Sequence, residues 1–280
     1  MMREIPAQQI IDTVADMCIK ANRYLPADVK RAFDACAAAE DLPAAKEVFR
    51  QLKENYELAE ETGLPLCQDT GLAVFFVDVG DDVRVTGMNL REAINEGVRK
   101  GYKDGFLRKS SCDPMTRKNV GDNTPAIVHF DMVPGDKLKI SFMAKGGGSE
   151  NMSRVTMLAP AQGWEGIKKF VIQRLAEAGP NPCPPTILGI GVGGTFDYAP
   201  ILAKKALMRS LDALHPDPKI AAMEQELLAA VNKLGIGPMG LGGKTTCLGV
   251  KIEMRPCHLA SLPLAVNVQC HSSRHQEVEI

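Results

Sequence analysis

The sequence predicts an α+β fold, with an N-terminal helical layer followed by mixed or antiparallel sheet carrying packed helices. Three observations lead there. The first sixty residues have helical spacing, the short apolar runs that suit strands begin only after Gly63, and no internal repeat, low-complexity tract or flexible linker divides the chain. The expectation is one domain over residues 1–280, with 1–62 as its helical N-terminal part.

Each element has its own reason. Asp41 and Pro43 form a helix start signal, and AAKEVFRQLKENYELAEETG spaces Val48, Leu52 and Tyr56 four apart before Gly63 stops the pattern. GLPLCQDTG is turn-rich, and LAVFFVDVG is a continuous apolar run suited to a buried strand. Residues 87–104 are again helical in spacing, and FLRKSSCDPMTRKNVGDNTP is a long polar connection. AIVHFDMV and KLKISFMAK alternate on either side of Pro134-Gly135, which predicts a β-hairpin ending in three glycines. The helix WEGIKKFVIQRLAEAGP stops at Gly179 and Pro180. ILGIGVGG reads as an apolar strand, YAPILAKKALMRSLDAL and KIAAMEQELLAAVNKLG as helices, and TTCLGVKIEMRP and LPLAVNVQCH as strands.

Composition excludes several classes. The 33 basic and 34 acidic residues among 280 leave a net charge of −1, with no basic excess to attract nucleic acid or anionic lipid. At 45% hydrophobic the chain is a globular one, and no window reaches the ~18 uninterrupted apolar residues of a membrane span. The start, MMREIPAQQIIDTVADMC, lacks the organisation of a secretory signal, so a cytoplasmic chain is expected. In that reducing compartment eight cysteines are metal ligands or small buried hydrophobes rather than disulfides.

Three motifs lead away from function. Gly189, Gly191 and Gly194 satisfy G-x-G-x-x-G, but no second βαβ unit follows and Asp212, the only acid near the required offset, lies in a helix; close strand–helix packing is the reading taken. Gly243-Lys244-Thr245 resembles the end of a P-loop, yet the first glycine position holds Pro238, which has no N–H to offer a phosphate. Cys257-His258 and Cys270-His271 suggest zinc, but adjacent side chains on extended segments point to opposite faces, so one ion cannot easily take both of each pair.

What remains is a set of three cysteines. Cys67 sits in Pro65-Leu66-Cys67-Gln68-Asp69-Thr70-Gly71, Cys183 between Pro182 and Pro184-Pro185, and Cys270 at the end of the strand that carries Leu264, Val266 and Val268. Proline beside cysteine is a feature of some iron–sulfur loops. Cys18, Cys36, Cys112, Cys247 and Cys257 have no such context. Of the histidines, His129 is read as a core residue in mid-strand, and His271 and His275 are left unranked.

These segments, with Asn119-Val-Gly-Asp-Asn-Thr-Pro125, Met143-Ala-Lys-Gly-Gly-Gly148-Ser149-Glu-Asn and Cys257-His258-Leu-Ala-Ser, resemble the α subunit of the two-subunit, iron–sulfur (class I) fumarate hydratases from about residue 50 onward. The resemblance implies a [4Fe–4S] cluster on Cys67, Cys183 and Cys270, leaving one iron open to act as a Lewis acid on substrate. It implies a hydro-lyase of the tricarboxylic acid cycle type that interconverts (S)-malate and fumarate. Asp69 and His258 are then the proton-transfer pair, Arg108 a bidentate partner for a substrate carboxylate, and Gln68, Gly147 and Gly148 substrate neighbours, the glycine run offering its N–H groups as an anion nest. No base for the C3 proton is evident, so a β subunit is expected to complete the site, as α2β2. Two alternatives stand beside this reading. One is the α subunit of L(+)-tartrate dehydratase, against which Ala144-Lys-Gly-Gly-Gly-Ser-Glu-Asn151 favours the fumarase form of that loop. The other is an iron–sulfur or zinc structural subunit without catalysis.

Overall fold

A computed structural model of the chain describes residues 2–280. In chain order the elements begin with β1 (Arg3–Pro6), α1 (Ala7–Arg23), α2 (Ala27–Ala39), α3 (Pro43–Thr62), β2 (Leu72–Gly80), β3 (Val83–Thr86) and α4 (Leu90–Asp104). There follow β4 (Ile127–Val133), β5 (Leu138–Lys145), α5 (Gly147–Asn151), β6 (Arg154–Leu158), α6 (Gly163–Ala178) and β7 (Thr186–Gly194). The last are α7 (Tyr198–Ala206), α8 (Pro218–Asn232), β8 (Cys247–Cys257), β9 (Leu262–Gln269) and β10 (His275–Glu279). The fold is α+β with mixed sheets, and no described helix is long and apolar enough to cross a membrane.

The chain divides into two compact units. The first takes the chain through Leu25, Tyr56–Gly147 and Arg274–Ile280; the second takes Pro26–Asn55 and Gly148–Ser273. The N-terminal helices are therefore shared out, α1 to the first unit and α2 to the second. Within α3, Val48 and Tyr56 are buried as the spacing predicts, Leu52 is half-buried, and Ala45, Phe49 and Ala59 complete the apolar stripe.

In the first unit the sheet order is β10-β5-β2-β4, with β2 parallel to β4 and antiparallel to β5. Phe75, Val77, Ile140 and Phe142 pack against Ile10 and Val14 of α1 and Ile94 and Tyr102 of α4. Val74 and Phe76 on the other face of β2 are buried too, as its unbroken apolar run requires. Truncating Phe75 or Phe142 to Ala would cost about 3–5 kcal/mol. The expected β4–β5 hairpin does not form, because β2 lies between the two strands. Residues 134–137 cross the end of β2 instead, with Gly80 N–H bonded to Lys137 O (2.9 Å) and Asp81 N–H to Val133 O (2.9 Å). A Cβ on Gly80 would stand 2.3 Å from Gly135 O, so only glycine lets the crossing pass so close.

In the second unit the order is β6-β9-β7-β8, with β7 parallel to β8 and antiparallel to β9. Ile190, Val192, Val266 and Val268 face α6 and α8 through Val171, Leu227 and Val231. The opposite face receives α7, where Ala199 and Ala203 meet Ala265. A Cβ on Gly189 or Gly191 would lie 2.0 Å from Ala203 O or Ala199 O. The glycine motif is thus a packing device, as the sequence reading holds. Helix α7 ends at Ala206, short of the predicted pattern, because the buried Asp28 carboxylate accepts from Ser210 Oγ and Leu211 N–H (2.8 Å each) and draws the chain out of the helix. The short strands β1, β3, β6 and β10 were not anticipated; they are four or five residues long and mostly half-buried or exposed, so they carry little hydrophobic signal.

Candidate functional site

In the first unit the turn-rich loop after α3 is held by side chains from remote parts of the chain. Leu66 N–H bonds to Asn22 O (2.8 Å). The fully buried Tyr102 donates its hydroxyl to Thr70 O (2.8 Å) and Gly71 O (3.2 Å), and burial pushes that phenol well above its ordinary value, so it stays a donor. Asn123, in the left-handed region at φ 63°, donates to Gly71 O (3.1 Å) and accepts from Ser110 N–H (2.7 Å) and Ser111 N–H (3.1 Å). Thr70 Oγ1 donates to Arg108 O (2.8 Å). The polar connection of residues 106–125 is in this way fastened beside Cys67 and its neighbours.

Asp69 is hydrogen-bonded through both carboxylate oxygens and its main-chain carbonyl. Its Oδ1 accepts from Gly71 N–H (3.0 Å) and its Oδ2 from Gly147 N–H (2.9 Å), while its main-chain carbonyl accepts from Arg274 Nη1. Two main-chain donors fix the carboxylate's plane and leave lone pairs open for a proton. Cys67 Sγ donates to Gln68 Oε1 (3.4 Å). Cys67, Gln68, Asp69 and Gly147 thus come together within one unit with the main chain of Arg108, whose side chain is exposed. The anion-nest expectation is corrected at Gly147, whose N–H is already taken by a carboxylate of this chain, and Gly147 opens the short helix α5.

In the second unit Cys183 sits at φ 53°, its N–H bonded to Pro180 O (3.0 Å), just before the cis Pro184-Pro185 bond. Its carbonyl accepts from His271 N–H (3.3 Å) and from His271 Nδ1 (2.9 Å), so Nδ1 carries the ring proton. That pair of bonds ties the Cys183 loop to the Cys270 loop. Gln269 Nε2 donates to Cys270 Sγ (3.8 Å) and to Ser272 O (3.4 Å). Gln269 Oε1 and Ser272 Oγ, flanking Cys270, are buried with no hydrogen-bond partner among the described residues.

His258 does not join this pair. It is exposed in the turn after β8, where its Nδ1 accepts from Ala260 N–H (3.1 Å) and its carbonyl from Ser261 N–H (2.9 Å). Cys257 pairs with Gly194 at the last residue of β7, whereas Cys183 precedes the first residue of that nine-residue strand and Gln269 pairs with Ile187. At the rise of a β-strand the two ends lie roughly 25 Å apart. The eight-residue strand β9 runs back along β7 between them, so His258 and Cys270 stand beyond its opposite ends.

Sequence reading missed Arg274, Tyr102, Asn123 and His271. The last two lay in segments it had singled out; an arginine in a polar tail and a tyrosine in an amphipathic helix carry no local signal.

No disulfide links the eight cysteines. Cys18 and Cys247 are fully buried, and burial raises both thiols, that of Cys247 to about 12. Cys67, Cys183 and Cys270 are half-buried and lie in loops. Among the described residues no group of three or more His, Cys, Asp or Glu side chains stands converged on a metal position. The chemistry of the three cysteines nevertheless suits a thiolate-bound cofactor: accessible sulfurs, with the partnerless Ser272 hydroxyl beside one of them available as a donor.

The fumarate hydratase (Fumerase) family model matches residues 11–279. A Methanocaldococcus jannaschii protein provisionally named L(+)-tartrate dehydratase subunit alpha is 44% identical over 272 residues, covering 95% of each chain. The L(+)-tartrate dehydratase subunit alpha of Escherichia coli (strain K12) is 31% identical over 282 residues, 98% of this chain and 93% of its own. A family match over nearly the whole length, with relatives of this identity at nearly full coverage, means that the chain belongs to the fumarate hydratase family of hydro-lyases.

Proposed function

We propose that the chain is the α-type subunit of a hydro-lyase that interconverts (S)-malate and fumarate, with the two units acting together as one catalytic domain over residues 1–280. The observation that carries the reading is the meeting of Cys67, Gln68, Asp69 and Gly147, with the main chain of Arg108, in one unit of a chain that belongs to this family. Cys67, Cys183 and Cys270 are the residues that would hold a [4Fe–4S] cluster. When bound, it supplies a Lewis-acidic iron toward the substrate's hydroxyl and carboxylate.

This chain's own residues do the rest. Asp69, its plane fixed by Gly71 and Gly147, exchanges a proton at the C2 hydroxyl as it leaves as water. Arg108 offers its planar fork to a substrate carboxylate, and Gln68 and the Gly147-Gly148 backbone line the same place. The base that takes the C3 proton comes from a β subunit, in keeping with relatives named as alpha subunits, and the assembly is α2β2. The resemblance pairs His258 with Asp69. His258→Asn in the assembled enzyme decides that role: a fall in kcat comparable to that of Asp69→Asn keeps it, and wild-type kcat removes it.

A second reading is dehydration of L(+)-tartrate, favoured by the names of both relatives. A site built for the extra hydroxyl leaves a polar group unpaired when malate binds, and so discriminates against it. The test is kcat/KM for both substrates on the enzyme assembled anaerobically with its β partner. A preference for malate of about tenfold or more, about 1.4 kcal/mol, supports the first reading. The reverse preference overturns it for the second, and iron-loaded enzyme that dehydrates neither overturns both.

A further inference from the structure

We infer that Arg274 is the positioning residue for Asp69. The inference rests on the reading of Asp69 as the proton-transfer group. Arg274 is among the largest fully buried side chains, 1% exposed, and its Nη1 donates to two neutral acceptors, Asn22 Oδ1 (3.1 Å) and the carbonyl of Asp69. Burying a guanidinium on neutral partners is costly unless an anion lies near. The Asp69 carboxylate is the anion close by: a Cβ placed on Gly146 would stand 3.2 Å from Asp69 Oδ2 and 3.3 Å from Arg274 Nη2, so both groups border the space that glycine leaves.

The sheet delivers this arrangement. Strand β10 pairs antiparallel with β5, and Ala144 N–H bonds to Arg274 O (3.0 Å), so one strand pair carries both Arg274 and the Lys145-Gly146-Gly147 backbone to Asp69. Arg274 holds the main chain of Asp69, Gly147 holds its side chain, and between them the carboxylate has one orientation. Asn22, which also donates to Cys18 O (2.9 Å), anchors the guanidinium on α1.

The test uses the full chain assembled with its β partner. Arg274→Lys keeps the charge and loses the fork, and it should lower kcat about 10²-fold with KM changed by less than about threefold, the signature of misplacement rather than lost binding. In an Asp69→Asn background the same substitution should cost nothing further. By hydrogen exchange on the chain alone, the amides of residues 67–71 and of Gly147 should exchange about tenfold faster in Arg274→Lys while those of α1 and α4 hold their rates. Gly146→Ala leaves Arg274 in place but puts a methyl into the gap, and it should reproduce the loss of kcat; it decides the matter if Arg274→Lys does not fold. Additive losses in the double variant, faster exchange throughout the unit, or wild-type kcat in Gly146→Ala would overturn the inference. Asp69→Asn alone with wild-type kcat would instead sink the reading of Asp69.

Discussion

The loop of Cys67 and the paired loops of Cys183 and Cys270 are held in contrasting ways. Around Cys67, remote side chains reach in: Tyr102 from α4, Asn123 from the polar connection and Arg274 from the chain's far end all bond to the main chain of residues 69–71. Around Cys183 and Cys270 the ties come from the loops' own residues, His271 and Gln269, with a backbone held at positive φ, and the Gln269 Oε1 and Ser272 Oγ atoms beside Cys270 go without partners. The first loop is organised by the protein itself, which suits a carboxylate that must be oriented before substrate arrives. The second keeps hydrogen-bonding capacity in reserve beside its sulfurs, which suits loops that settle around a ligand.

Cysteine substitution gives the largest effect expected from this contrast. Cys270→Ser in anaerobically reconstituted enzyme should lower bound iron to near background and abolish dehydration, whereas Cys257→Ser, at the other end of the sheet, should leave both as they are. Iron lost equally from both variants would refute the three-cysteine assignment. Next in size is Tyr102→Phe. It strips a buried donor from Thr70 O and Gly71 O and should cost about 1–3 kcal/mol by urea unfolding, with exchange rising in residues 67–71 only. His271→Ala removes the ring bond to Cys183 O and should cost about 0.5–1.5 kcal/mol, loosening residues 181–185 and 270–272 while the Cys67 loop keeps its protection. If His271→Ala loosened the Cys67 loop as much, the two loops would not be independently secured. The smallest effect is a labelling pattern. A raised thiol value means that the neutral, unreactive form persists until pH approaches that value, so at pH 8 iodoacetamide applied to cluster-free protein should leave Cys18 and Cys247 unmodified, label Cys36 slowly because burial raises its thiol too, and label Cys67, Cys183, Cys270 and the exposed Cys257.

Much of this was legible where the chemistry is local. The run LAVFFVDVG suited a buried strand, Gly63 ends α3, and the alternating glycines of GIGVGG leave room for α7. Cys67-Gln68-Asp69 stood out because its residue types sit together in one loop. Strand order was not legible, since it depends on which distant strands pair. That missing fact produced the misread hairpin, which β2 interrupts. Arg274 escaped for the same reason: its role exists only once β10 lies on β5, and nothing in Ser272-Ser273-Arg274-His275 announces that pairing.

The threading of the first unit also fixes when Asp69 acquires its neighbours. During synthesis, residues 56–147 leave the ribosome early, but Arg274–Ile280 follow only after all of Gly148–Ser273 has been made. Until then the sheet lacks an edge strand, and the carbonyl of Asp69 lacks its guanidinium. Asp69 is therefore fully tied only once Arg274–Ile280 have been made and β10 lies on β5.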